Sequence, residues 1–500
     1  MTVDSTSMSA VVCEIEHRGE YRGAYVATLS TYILLAASFA LKLPYTVLAL
    51  EGAFAIAASA FLLQKDFVSA LSLTILVTHI GPILRETLPV VGMVNLGDIY
   101  LGLVFLVWAQ RHLTRPIYLG PFRALILPMV MLLVISILFL PDFVAALPGY
   151  LSLFQLVMFY FVVLNDIRTE EDIDRMLAGI GWAVLVSACL HLIFYSQGVS
   201  LGLTETEDDV HSSAILGTRD IAAFIKTSFF YVSFYGSCAA GMVISVCRLV
   251  LNGRSGWLER GFWSVVFLIA LISSVVAGSR TAVLSAVLSV FVFLSFLALR
   301  QVRTRNSGLL VRVLAGISGL IALAAVAVVG VLSENQRDAL VQMAIGEAET
   351  SIGERLVMWN AIPEKTLEFP SAFVFGVGPD VTWRAGQLPV IRELMNVRGL
   401  PYQPPSFHNF YVDIVFQLGF PVFVLLAFIG ISTLVRLAKV RGGRPDLTHT
   451  FFFAIFAWVL LWNTHATGWS KPVLIMSELF ALSHLVIAHR TSDTLRGDRT

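Results

Sequence analysis

His408 opens the stretch "SFHNFYVDIVFQLGFPVFVLL" (406–426). A neutral imidazole at ambient pH can take a proton from a hydroxyl, which is what a general base must do. Asn409, Asp413 and Gln417 follow at steps of four, on one stripe of an otherwise apolar helical run. Polar side chains in such a run face a bundle interior, so the stripe is expected to line a cavity; the plainer reading of His408 is a cap or interface residue. Arg280, in "AGSRTAVLSAVLSVFVFL", falls between two apolar stretches. An arginine there either snorkels to headgroups or grips phosphate oxygens with its planar fork. In "GERLVMWNA", Arg355 and Trp359 share a helix face beside Glu354. That face is either an ordinary amphipathic surface or, with Arg280 and Arg219, part of a cationic pocket suited to a diphosphate. "GVGPD" (376–380) has neither the preceding strand nor the following Lys-Ser/Thr of a phosphate loop and reads as a turn.

These residues must be held by membrane helices. Of 500 residues 57% are hydrophobic and 14% charged, and the mean hydropathy is +0.80, outside the balance of a soluble domain. Crossing the hydrocarbon takes about 20 apolar residues per helix. Twelve to fourteen stretches qualify, from 25–43 to 472–488 and including 67–84, 309–333 and 409–435. The runs are continuous rather than alternating, which excludes a membrane β-barrel. The fold class expected is all-α, a polytopic bundle of 12–14 transmembrane helices with a partly helical large external loop. The expected organisation is a tail at 1–24, about eleven helices over 25–333, the loop at 334–408, about three helices over 409–488 and a tail at 489–500. The first span lacks a basic leader and a small-residue cleavage site, so it is read as a retained helix.

Alternating the spans puts 22 of the 34 Lys and Arg on the side of both termini and 12 on the other, six of these in the 334–408 loop. Short loops such as "RQVRTRNSGLLVR" (300–312) and "RLAKVRGGRP" (436–445) make the crowded side cytoplasmic. His408, Arg280, Arg355 and Arg219 then lie on the outer side, and "TEEDID" (169–174) on the inner one, which removes it as an active-site acid cluster. Cys13, Cys189, Cys238 and Cys247 avoid external loops and metal-ligand spacing, so neither a structural disulfide nor a zinc site is expected. Trp359, Trp383, Phe369, Phe373 and Phe375 give the long loop enough apolar surface to fold.

The succession of "GSRTA", "GERLVMWNAI" to "GVGPD", and "HNFYVDIVFQLG" resembles the O-antigen ligase and O-antigen polymerase superfamily over roughly 270–430. The ligase pattern of His, a small amide or hydroxyl residue, nine residues and then Gly is met by His408, Asn409 and Gly419; Val422 departs from it at the last position. The resemblance implies a bacterial inner-membrane glycosyltransferase with both termini cytoplasmic and a periplasmic active site. It would join an undecaprenyl-diphosphate-linked glycan to a hydroxyl of another glycan. It further implies His408 as base, Arg280, Arg355 and Arg219 on the diphosphate, and Asn409, Asp413 and Trp359 on the acceptor or sugar. No cofactor, no metal and no nucleic acid are implied, although Glu205, Glu207, Asp208 and Asp209 keep an external cation site open. Membrane lipids and polysaccharide-assembly proteins such as a flippase or chain-length regulator are the implied partners. Val422 tips the reading from ligase towards polymerase. A transporter would instead show two halves with corresponding broken helices, a pattern not found here, and a scaffold protein would tolerate loss of Arg280 and His408.

Overall fold

The computed structural model describes residues 5–41, 43–84, 96–197, 233–251, 256–276, 280–304, 357–379, 388–400, 407, 409–440, 445–462 and 474–497. Among these there is helix and no strand. Six helical segments are long and apolar enough to cross a membrane: Gly23–Ala40, Thr46–Lys65, Phe143–Asp166, Glu170–Ile193, Trp257–Ser274 and Phe420–Lys439. Shorter apolar helices accompany them. Only 17% of the Phe420–Lys439 segment is buried by protein, and side chains such as Leu50, Leu106, Val144, Leu284 and Ile431 project outward. Apolar surface on this scale must be covered by lipid. The protein is an all-α polytopic membrane protein.

The chain divides into two units. The first comprises residues 1–117 and 165–193. It contains α1 (Ser5–Ala40), α2 (Tyr45–Lys65), α3 (Phe67–Ser72), α4 (Thr74–Leu84), α5 (Leu96–His112) and most of α8 (Glu170–Gln197). Here α1 packs on α2 and α4 on α5. The span expected over 67–84 is interrupted at Leu73, and α3 starts on an Asp66 cap whose carboxylate accepts from the Ser69 N–H at 3.1 Å and the Ser69 hydroxyl at 2.6 Å. Gly179 lets α8 approach so closely that a Cβ there would stand 2.0 Å from the Ser72 carbonyl oxygen.

The second unit comprises residues 118–164 and 194–500. Its described helices are α6 (Arg123–Ile137), α7 (Phe143–Asp166, apart from its last two residues), α9 (Ser233–Leu251), α10 (Trp257–Val276), α11 (Arg280–Thr304), α12 (Ile362–Glu368), α13 (Pro370–Phe375), α14 (Pro389–Met395), α15 (Phe410–Leu418), α16 (Phe420–Lys439), α17 (Pro445–Trp462) and α18 (Leu474–Gly497). α9 packs against α10, α11 and α17. Gly236 of α9 accommodates the buried Trp458 ring. Arg248, buried at the end of α9, joins Glu259 of α10 at 2.9 Å and Asp446 of α17 at 3.5 Å.

Two expectations change. The span read as continuous over 409–435 is two helices that meet at Gly419, whose φ of 90° no helix can contain. The amphipathic helix expected around Trp359 is likewise not one rod. A helical turn over 357–360 ends at Ala361, and α12, α13 and α14 each begin with a proline in the first turn. Proline is preorganised for that position and cannot continue a helix already begun. The span expected at 309–333 lies outside the described residues.

Candidate functional site

Within the second unit, α12–α14 form a small apolar core with the start of α15. Met358, Ile391, Leu394, Met395 and Val397 are buried with Phe407 and Phe416. The rings of Phe407 and Phe416 stack at 5.1 Å, and Phe373 stacks on Phe420 at 5.1 Å. Lys365 adds a polar tie by donating to Glu368 at 2.9 Å and to the Glu393 carbonyl at 3.1 Å. The described part of the long loop therefore packs as a folded body, as its aromatic residues lead one to expect.

Its polar contacts converge on residue 407. The Trp359 indole N–H donates to the Phe407 carbonyl at 3.0 Å, and the Asp413 carboxylate accepts from the Phe407 N–H at 2.9 Å. Both backbone groups of Phe407 are thus held by side chains. On the other flank, Asn409 caps α15: its Oδ1 accepts from the Tyr411 N–H at 3.0 Å and the Val412 N–H at 3.3 Å. Such a cap satisfies donors that a helix start leaves orphaned. Asp413 and Gln417 are both fully buried, so the stripe recognised from its four-residue spacing faces the protein interior. The Asp413 carboxylate holds the turn before α15 rather than facing an open cavity.

The "GVGPD" turn has a specific task. Because α15 stops at Gly419, its last carbonyls lack intrahelical partners. The Val377 N–H donates to the Phe416 carbonyl at 2.8 Å and the Gly378 N–H to that of Gln417 at 3.0 Å. This clasp requires close approach. A Cβ on Gly376 (φ 79°) would lie 2.3 Å from the Gln417 oxygen, and one on Gly419 would lie 2.4 Å from the Val374 oxygen. Gly149 of α7 receives the same segment from its other side, where a Cβ would be 2.1 Å from the Pro379 oxygen. No phosphate role is needed to explain these glycines.

Three of the seven site residues read from the sequence, Trp359, Asn409 and Asp413, are brought together around Phe407. Arg280 opens α11, and its side chain lies outside the described residues. His408, Arg355 and Arg219 lie outside them, as do Glu205, Glu207, Asp208 and Asp209. Among the described residues no group of His, Cys, Asp and Glu has the arrangement of a metal site. The residues that sequence reasoning passed over are Gly149, Gly376 and Phe407. Their tasks are a close approach, a positive φ and a backbone anchor, and only the two glycines leave any trace in the letters.

No curated protein matches the chain. Residues 265–427, which run from α10 through the folded loop helices and α15 into α16 and include the hydrogen bonds at Phe407, match the family model described as O-Antigen ligase. Over this segment, about a third of its length, the chain is similar to the O-antigen ligase family.

Proposed function

We propose that the protein is a membrane glycosyltransferase that transfers a glycan from undecaprenyl diphosphate to a hydroxyl of an acceptor glycan, at the periplasmic face of the bacterial inner membrane. The observation that carries the reading is the coincidence of the matched segment with the docked loop: Phe407 and Asn409, the neighbours of His408 in sequence, are each fixed by side-chain hydrogen bonds.

In the proposed step the acceptor oxygen attacks the anomeric carbon while the bond from that carbon to the diphosphate oxygen breaks. The acceptor proton passes to the His408 imidazole, and the electron pair leaves with undecaprenyl diphosphate. Negative charge grows on the leaving group as the bond breaks, and cations placed there lower the barrier. Arg280, Arg355 and Arg219 are assigned that task, supplying the charge without a metal. Trp359 and Asp413 fix the turn in front of the base, Asn409 fixes the helix behind it, and exposed parts of Trp359 and Asn409 remain for the sugar. Polymerisation of a surface polysaccharide is favoured over ligation by Val422. The ligase reading is supported by the family description and by the spacing of His408, Asn409 and Gly419.

The test is His408→Ala in the native host, with membrane levels confirmed and polysaccharide compared with a deletion strain on a gel. Loss of long chains with accumulation of short lipid-linked repeats is the expected result. Polymer that forms but stays on its carrier assigns ligation. Unchanged glycan, where the deletion abolishes it, removes His408 as base and favours a transporter or scaffold.

A further inference from the structure

The first unit carries a second polar site, far in sequence from the matched segment. A cavity of about 330 Å³ is lined by Lys65 at the end of α2, Asp66 and Phe67 at the start of α3, Arg111 and Arg115 around the end of α5, and Asp166 and Arg168 in the connection from α7 to α8. Its volume is at the lower end of the range for small-ligand pockets. In the alternation of spans all these residues fall on one side, the side rich in Lys and Arg. The fold brings those separate connections together.

Four cations face two carboxylates, and one of the carboxylates is already engaged. Asp66 caps α3 and lies 3.5 Å from Arg175. The Arg111 guanidinium covers the Phe67 ring at 4.7 Å and donates to the Leu63 carbonyl at 3.4 Å, which fixes its position. Arg115 and Arg168 are exposed. The cavity is therefore net positive and built around one immobilised guanidinium. The other carboxylate, Asp166, keeps its Oδ2 inside the protein, 3.8 Å from His112 Nε2 and beside the Trp108 indole, and lines the cavity with its remaining exposed edge. A ligand that complements the whole site must present an anion to the arginines and a hydroxyl to Asp166.

We infer that this cavity binds the headgroup of an anionic phospholipid of the glycerophosphate type, with the phosphate on Arg111, Arg115 and Arg168 and a glycerol hydroxyl on Asp166. Basic pockets between membrane helices at the positively charged side are suited to such headgroups. The site is independent of the glycan-transfer reading.

The experiment uses the full chain in detergent, with bound lipid measured by native mass spectrometry against phosphatidylglycerol, phosphatidylethanolamine and phosphatidic acid. Phosphatidylglycerol is expected to be retained over both others. The double variant R115Q/R168Q alters exposed side chains and should keep its melting temperature while losing about fivefold in phosphatidylglycerol affinity per cation removed. Asp166→Ala should abolish the preference for phosphatidylglycerol over phosphatidic acid. Equal retention of phosphatidylglycerol and phosphatidylethanolamine, or full retention by R115Q/R168Q, overturns the proposal. Millimolar inorganic phosphate is the remaining arm. If it binds without lipid and displaces phosphatidylglycerol, the ligand is a soluble anion and the lipid assignment falls.

Discussion

Replacing Gly419 with alanine isolates the contact on which the docked loop depends. Gly419 has φ 90° and ψ 150°, a region that only glycine occupies readily, and forcing a side chain into it costs about 1–3 kcal/mol. The new Cβ would sit 2.4 Å from the Val374 oxygen and 3.0 Å from the Val374 carbonyl carbon. Both are backbone atoms, so α13 must move as a body. Moving it opens the clasp, in which the Val377 and Gly378 N–H groups reach the Phe416 and Gln417 carbonyls at 2.8 and 3.0 Å. Each hydrogen bond is worth about 1 kcal/mol net, so the total is about 3–5 kcal/mol, a large share of the roughly 5–15 kcal/mol that holds a typical domain.

The assay is thermal unfolding of the purified full chain in detergent, with Gly102→Ala as the control. Gly102 lies within α5, and a Cβ there meets nothing within 4 Å. Alanine at that position is expected to be neutral or stabilising by up to about 1 kcal/mol. Gly419→Ala should lower the melting temperature by roughly 3–5 °C, because a chain of this length unfolds with an entropy of about 1 kcal/mol/K, and expose the 388–400 segment to protease earlier than in the parent. If Gly419→Ala melts with the parent, the break between α15 and α16 is not held by this close approach, and the clasp is incidental.

Further outcomes follow from the same contacts. Asp413→Leu leaves the buried Phe407 N–H without an acceptor and should cost about 1–3 kcal/mol together with glycan synthesis, while Asp413→Asn, which keeps an acceptor oxygen, should recover most of both; equal loss in the two variants would point to the charge instead. Tyr160, His484 and Thr433 form a chain inside the second unit: Thr433 donates to the Ile429 carbonyl at 2.8 Å, so it accepts from His484 Nε2–H at 2.8 Å, and His484 Nδ1 accepts from the Tyr160 hydroxyl at 2.7 Å. Tyr160→Phe and His484→Phe should therefore be non-additive by at least about 0.5 kcal/mol in a melting-temperature cycle, and strict additivity would refute the chain. Arg248→Met removes the guanidinium 3.5 Å from the nearly buried Asp446 and should destabilise by about 3 kcal/mol, whereas Glu259→Gln, at a side chain 35% exposed, should cost far less in the same melts.

The parts of this molecule legible in its sequence are those in which one letter reports on one physical requirement. Length of apolar run reports on the membrane, so α2, α7 and α10 lie close to where hydropathy puts them. Asn409, Asp413 and Gln417 stand out because a four-residue spacing of polar groups in an apolar run has few explanations. What the spacing leaves open is direction. The same stripe serves a cavity or a buried clamp, and the choice depends on Phe407, just before α15, and on Trp359, which reaches it across 48 residues of chain. Hydropathy also runs smoothly through Gly419, because a glycine among Leu, Phe and Val barely lowers the average while its φ ends the helix outright. Once that break is known, "GVGPD" ceases to be a generic turn: a helix that ends inside the fold leaves carbonyls in need of donors, and Gly376 lets the chain come close enough for the Val377 and Gly378 N–H groups to supply them. The site is thus assembled by backbone requirements that side-chain chemistry conceals, and Trp359, Asn409 and Asp413 are the side chains that hold those backbones in place.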